Sequence, residues 1–206
     1  MDKQEYKMIE TNKLSENELR VLSSFFPEGK DITLKIIQER TKLSYEPVHR
    51  IIKQLVDKKL LIEKKFGKTL VYSLDFSKEK IRISFILYAN EKKEKFEEEY
   101  GNIYRALSKI KEGDIDFLSI FGSYAKGSST KKSDIDVLCV SSNKTKTERE
   151  IKSLRYETNL EFAPVVISKT EFAKIRDENK QFWDDLVDYS IIFKGYELFY
   201  YNAYLK

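Results

Sequence analysis

Hydrophobic and polar positions change period several times along the chain. Ser15-Glu16-Asn17-Glu18 has the form of a capping box, and Leu19, Leu22, Phe25 and Phe26 follow at helical spacing until Pro27-Glu28-Gly29 stops the helix. The pattern predicts a second helix over residues 33–40 that buries Leu34, Ile36 and Ile37. With Ser44 as N-cap, Val48, Ile51, Ile52, Leu55 and Val56 form the stripe of an amphipathic third helix. Residues 60–73 read as a hairpin turning near Gly67. Residues 76–107 are charge-rich and poor in glycine and proline; Ile81, Phe85 and Tyr88 recur near helical spacing, which predicts helix and not a floppy linker. Tyr104, Leu107 and Ile110 are expected to pack on a sheet that follows.

That sheet is signalled by short apolar runs at 118–121, 135–140 and 160–167, the last preceded by a polar, helical stretch over 145–157. The chemistry lies between the first two runs. Gly122-Ser123, ten residues, then Asp134-Ile135-Asp136 at the head of an apolar strand place two features together. A strand alternates its side chains, so Asp134 and Asp136 project from one face while Ile135, Val137 and Cys139 enter a core on the other. Two carboxylates so placed can share a divalent metal. A glycine at the end of the preceding strand lets the backbone turn closely around a ligand, with Ser123 opening the next helix as a phosphate-contacting cap. Carboxylates for metal beside backbone N–H groups for phosphate are what phosphoryl chemistry on a nucleoside triphosphate requires. Lys126, Lys131 and Lys132 add positive charge to the intervening loop.

The Gly-Ser, ten-residue gap and Asp-x-Asp resemble the signature of the minimal nucleotidyltransferases of the DNA polymerase β-like superfamily. The resemblance covers about the last half of the chain, including Ser168-Lys169-Thr170-Glu171-Phe172, Gln181-Phe182-Trp183 and residues 190–195. It implies a small mixed β-sheet flanked by helices. It also implies Mg²⁺ (or Mn²⁺) held by Asp134 and Asp136, and a nucleoside triphosphate, ATP or another, cradled near Gly122, Ser123 and Lys126. A third carboxylate is expected from the next strand. Glu161 is the candidate as metal ligand or acceptor of the attacking hydroxyl's proton, with Glu157 as runner-up and a solvent-facing acid as the alternative for either. Such proteins often act with a toxin-like partner, which implies by analogy an antitoxin or regulatory role.

Composition narrows the remaining classes. The chain has 206 residues, 41% hydrophobic and 13% aromatic, enough for two small cores. No apolar run approaches the roughly 20 residues of a membrane helix, and the N-terminus lacks a signal-peptide stretch, so the expectation is a cytoplasmic protein without a membrane partner. Cys139 is the one cysteine and His49 the one histidine, which excludes an internal disulfide, a cysteine-based zinc site and a histidine-cluster metal site.

Three helices followed by a basic hairpin resemble a winged helix-turn-helix. Residues 42–68 carry eight basic and three acidic side chains, a net of +5, whereas the whole chain is +4. Concentrated charge on these elements fits duplex DNA, with Tyr45, His49, Arg50 and Lys53 on the third helix and Lys64, Lys65 and Lys68 on the wing as the contacting residues. Protein contact through a solvated basic surface is the alternative. The expected organisation is α+β: a winged helix-turn-helix at 1–75, a helical linker at 76–107 and a minimal nucleotidyltransferase domain at 108–206. Two functions fit it. One is metal-dependent transfer of a nucleotidyl group, AMP from ATP, to a hydroxyl acceptor. The other is a non-enzymatic DNA-binding regulator that uses the same fold as nucleotide sensor or dimerisation platform. Homodimerisation is expected from the winged-helix reading. Tyr196, Tyr200, Tyr201 and Tyr204 read as terminal aromatic packing, or as a stacking or partner surface.

Overall fold

In the computed structural model, which describes residues 14–110 and 113–205, the chain divides into two compact units, one up to Phe85 and one from Ile86 onward. The division falls within the stretch expected as a helical linker, inside one long helix.

In the N-terminal unit, α1 (Glu16–Ser23) opens with the capping box: Ser15 Oγ accepts from Glu18 N, and the Glu18 carboxylate accepts from Ser15 N at 2.8 Å. Thr33 caps α2 (Leu34–Thr41), and α3 (Tyr45–Asp57) follows Ser44, which makes no side-chain cap bond. Val21, Leu22, Ile37, Val48, Ile52 and Leu55 are almost entirely enclosed, so the stripe read from the sequence is the face that packs. Strands β1 (Leu61–Phe66) and β2 (Thr69–Leu74) pair antiparallel, with Phe66 opposite Thr69 across Gly67-Lys68. Gly67 has φ +60°, the left-handed value that a two-residue hairpin needs at its first position. The third-helix end is tied by Glu18, whose buried carboxylate accepts from Lys58 Nζ at 2.5 Å. Burial raises this carboxyl's pKa, but the Lys58 and Ser15 hydrogen bonds outweigh it and hold the group below its ordinary value.

Helix α4 (Glu79–Glu99) is continuous, with Ile81 and Phe85 buried, and α5 (Gly101–Ser108) follows it. The C-terminal unit is built on a four-stranded sheet of order β5-β4-β3-β6, formed by β3 (Ile115–Ile120), β4 (Ile135–Ser141), β5 (Phe162–Ile167) and β6 (Ile191–Lys194). β3 runs antiparallel to both β4 and β6, while β4 and β5 are parallel. Helices α6 (Gly122–Ala125), α7 (Lys144–Ser153) and α8 (Arg155–Thr158) precede β5; α9 (Lys169–Glu178) and α10 (Lys180–Tyr189) precede β6. Helix α11 (Tyr196–Tyr200) continues into a π-helical turn, Tyr201–Leu205.

Alternation gives the sheet two different cores. Leu118, Ile120, Ile135, Val137 and Cys139 pack with Ile103, Leu107, Ile110, Ile151 and Phe162, and Tyr104 lies against the same cluster. The other face is aromatic: Phe117 contacts Phe172 and Phe199 at 5.1 and 5.7 Å between ring centroids, and Trp183 closes the group at 5.7–5.8 Å. Ring pairs of this kind add about 0.5–1.5 kcal/mol each beyond their buried area. Cys139 sits wholly inside, where burial pushes its thiol up to about 12 and leaves it inert. Of the terminal tyrosines, Tyr200 is buried, the Tyr196 hydroxyl donates to Asn90 Oδ1, and Tyr201 is exposed, so packing accounts for most of them.

Candidate functional site

Antiparallel pairing of β3 and β4 brings the C-terminal end of one beside the N-terminal end of the other. Ile120 pairs with Val137, and Phe121 N donates to Asp136 O at 3.0 Å. The chain then turns at Gly122, φ +67°. A Cβ there would sit 2.8 Å from Asp136 Cγ and closer still to Oδ2. Two requirements therefore meet at one residue: a left-handed backbone and room for a carboxylate laid directly on the chain. No side chain other than hydrogen meets both.

Asp134 is exposed just ahead of β4, and Asp136 is half-buried within it. Burial raises the Asp136 pKa, and the charge of Asp134 raises it further. Two oxygen donors that repel each other at a strand mouth are the donor set that a hard divalent cation relieves, so the pair fits Mg²⁺ or Mn²⁺. Phosphate groups could be met by the N–H groups of the α6 turn, which Ser123 stabilises by accepting Ser128 N at its carbonyl, 2.9 Å. Upstream of the acids, Ser129 is tethered to the Tyr100 hydroxyl at 3.2 Å, and Tyr100 packs edge-on to the buried Tyr124. The ten-residue gap is thereby fastened at its middle to Tyr100, the residue that caps α5.

The remaining expected site residues have other partners. Glu161 lies one residue before β5. Its carbonyl accepts Ile135 N at 2.9 Å, but its carboxylate is exposed and 3.8 Å from the Arg155 guanidinium. Glu157 pairs with Lys109 at 2.6 Å. Among the described residues, no three Asp, Glu, His or Cys side chains converge as a metal cluster. Lys126 donates to Asp185 Oδ2 at 2.8 Å and lies 5.2 Å above the Tyr189 ring.

Those contacts reveal a helix face that sequence reasoning passed over. Phe182, Asp185 and Tyr189 fall at i, i+3 and i+7 on α10. Phe182 meets Phe121 edge-to-face at 5.4 Å, while Asp185 and Tyr189 engage Lys126. α10 therefore grips both sides of the Gly122 turn. The spacing was there to be seen; only its target was not. One more polar group lies behind the acids: Ser119 Oγ is fully buried and, among the described residues, has no hydrogen-bond partner. Ser119 pairs with Leu138, two residues along from Asp136 and on the same face.

In the N-terminal unit, Tyr45, Arg50, Lys53, Lys64, Lys65 and Lys68 are all exposed and His49 is half-buried. Tyr45 stacks on His49, with ring centroids 5.5 Å apart and an interplanar angle of 12°. Helix α3 and the hairpin thus present six of the seven residues expected at a DNA surface to solvent, with His49 partly covered beneath Tyr45.

Among the described residues, no helix is long and apolar enough to cross a membrane. No curated protein matches the chain. A chain from a crystal structure of a toxin-antitoxin with AMP-PNP is similar at a TM-score of 0.36 and 17% identity, covering 50% of this chain and 82% of that one. Residues 102–194, which contain β3 to β6, the Gly122 turn and both aspartates, match the family model of the nucleotidyltransferase domain, and that match supports a transferase whose reaction is nucleotidyl transfer.

Proposed function

We propose that the C-terminal unit transfers a nucleotidyl group, AMP from ATP, to a hydroxyl acceptor, and that α3 and the hairpin bind duplex DNA as a winged helix. The observation that carries the first half is Gly122 lying against the Asp136 carboxylate at the head of β4, with Asp134 two residues before it. In this reading Asp134 and Asp136 would hold Mg²⁺ or Mn²⁺, which when bound neutralises charge on the triphosphate. The α6 backbone and Ser123 orient the phosphates by hydrogen bonding. Lys126 exchanges Asp185 for a phosphate oxygen. Glu161 exchanges Arg155 for the acceptor hydroxyl and takes its proton as that oxygen attacks the α-phosphorus and pyrophosphate leaves. The domain limits of the proposal are those of the sequence: 1–75 for DNA, 76–107 as helical connection and 108–206 for transfer.

The setting proposed is cytoplasmic, with a toxin-like protein partner, a second copy of the chain through the DNA-binding unit, and an antitoxin or regulatory role.

The second reading is a nucleotide sensor that regulates transcription without transfer. The Arg155–Glu161 pair favours it, because a third acid engaged elsewhere leaves nucleotide binding intact and the proton acceptor absent. Incubation of the full chain with labelled ATP, Mg²⁺ and candidate acceptors separates the two. Transfer that disappears in Asp134→Ala plus Asp136→Ala supports the enzyme. Nucleotide binding by wild type with no labelled acceptor supports the sensor.

A further inference from the structure

Among the described residues of the N-terminal unit, the exposed large apolar side chains are Tyr45, Ile62, Phe66 and Leu70, which lie on the start of α3 or on the hairpin, and Ile83 on α4. Phe66 is the most exposed, at 61%. It occupies the last position of β1, beside the Gly67-Lys68 turn, and a Cβ placed at Gly67 would meet nothing within 4 Å, so the tip stands clear of the rest of the unit. Alternation puts Ile62, Lys64 and Phe66 on one face of the ribbon, with Lys65 opposite and Lys68 in the turn. These lysines make no ion pair among the described residues, although Lys35, Arg40, Lys58 and Lys78 of the same unit each have a carboxylate partner.

A flat apolar ring at the end of a projecting ribbon, ringed by free cations, needs a partner that offers a slot for the ring and a polyanion for the lysines. A base stack bordered by phosphates offers both. We propose that Phe66 is a wedge: the hairpin tip lies against the minor groove of duplex DNA and the ring inserts between two base pairs, with Lys64, Lys65 and Lys68 on the flanking phosphates. The ring enters while the two-stranded ribbon, too broad for the groove, stays outside it. Insertion unstacks one step, and pyrimidine–purine steps yield most readily. The inference rests on the duplex-DNA reading above and adds to it a residue, a groove and a deformation.

The test uses the full chain on a mixed-sequence duplex carrying TpA steps at low salt, read by binding titration and by permanganate oxidation, which attacks thymines only when they are unstacked. Wild type is expected to bind and to render thymines reactive. Phe66→Ala should lower affinity by less than about tenfold yet return reactivity to that of free duplex, while Phe66→Trp retains it. Lys64→Ala plus Lys65→Ala should do the reverse, reducing the log–log salt slope by about 2 and, at saturating protein, leaving reactivity in place. Wild type that binds without thymine reactivity, or Phe66→Ala that keeps it, overturns the wedge alone. Wild type that binds no duplex overturns the DNA reading and the wedge with it.

Discussion

Arg50, Lys53, Lys64, Lys65 and Lys68 on α3 and the hairpin form no ion pair among the described residues. In the C-terminal unit, Lys109, Lys126, Lys144, Lys146, Lys152 and Lys169 each lie 2.5–2.8 Å from a carboxylate. Both sets are solvent-facing and both sit on elements rich in lysine, so composition does not separate them. What separates them is the position of the acids. A paired surface cation has its field largely cancelled at close range, whereas an unpaired cluster projects a field that a polyanion can neutralise, with release of counterions. The first unit thus carries unpaired cations on α3 and the hairpin, which is what the proposed duplex contact requires. The second holds these six lysines against carboxylates, while Asp134 and Asp136 at the head of β4 have no lysine within ion-pair distance among the described residues.

That contrast breaks most readily on the free side. Arg50→Ala plus Lys53→Ala should weaken duplex binding by about 10- to 100-fold at low salt and reduce the salt slope by about 2, measured by titration at several salt concentrations. Equal slopes for wild type and variant would mean these cations touch no phosphate.

Next in size are one buried charge and one half-buried charge. Glu18 is held below its ordinary pKa, so its stabilising contribution is complete above the usual carboxylate range and disappears as pH falls through the lowered folded-state value. Glu18→Gln should cost about 2 kcal/mol at neutral pH and reduce the loss of stability on acidification, read by denaturant unfolding. Lys92 shows the opposite case: burial pushes its ammonium down to about 8, and its partner is the Asp188 carbonyl at 3.0 Å. Between pH 8 and about 10.5 the unfolded chain binds the extra proton, so stability rises with pH there. Lys92→Met should flatten that rise.

The paired side gives smaller effects. Asp185→Asn removes the acid that, in the proposed site, a triphosphate displaces from Lys126 and should tighten ATP binding about two- to fivefold, while Lys126→Ala loosens it by a similar factor, both by calorimetry. Ser119→Ala should change stability by no more than about 1 kcal/mol, and toward greater stability, because the hydroxyl has no partner to lose among the described residues.

Much of this was legible in the sequence because local rules coincide with the fold. The capping box at Ser15, the α3 stripe and the turn at Gly67 depend on neighbours within a few positions, and each formed where the pattern placed it. The Gly-Ser and Asp-x-Asp spacing was readable for a different reason: strand alternation and an antiparallel partner leave little freedom in where those side chains go. Glu161 was harder. Its strand position could be anticipated within one residue, but its carboxylate answers to Arg155 on a four-residue helix, and no periodicity encodes that pairing. The grip of Phe182, Asp185 and Tyr189 on the Gly122 turn was hidden for the same reason, since a helix stripe announces a contact without naming the surface it meets. Phe66 was absorbed into the hairpin signal, where an aromatic reads as strand propensity until its exposure is known.

The most direct measurement of the central claim follows the two ends of the triphosphate separately, with ATP labelled at the α- or the γ-phosphate and offered to the full chain, Mg²⁺ and acceptor. Nucleotidyl transfer at Asp134 and Asp136 predicts that the α-label becomes acceptor-bound, that the γ-label leaves as pyrophosphate, and that Asp136→Asn and Gly122→Ala each suppress both by about 100-fold or more. A γ-label on the acceptor, or an α-label transferred equally by wild type and Asp136→Asn, would contradict the account.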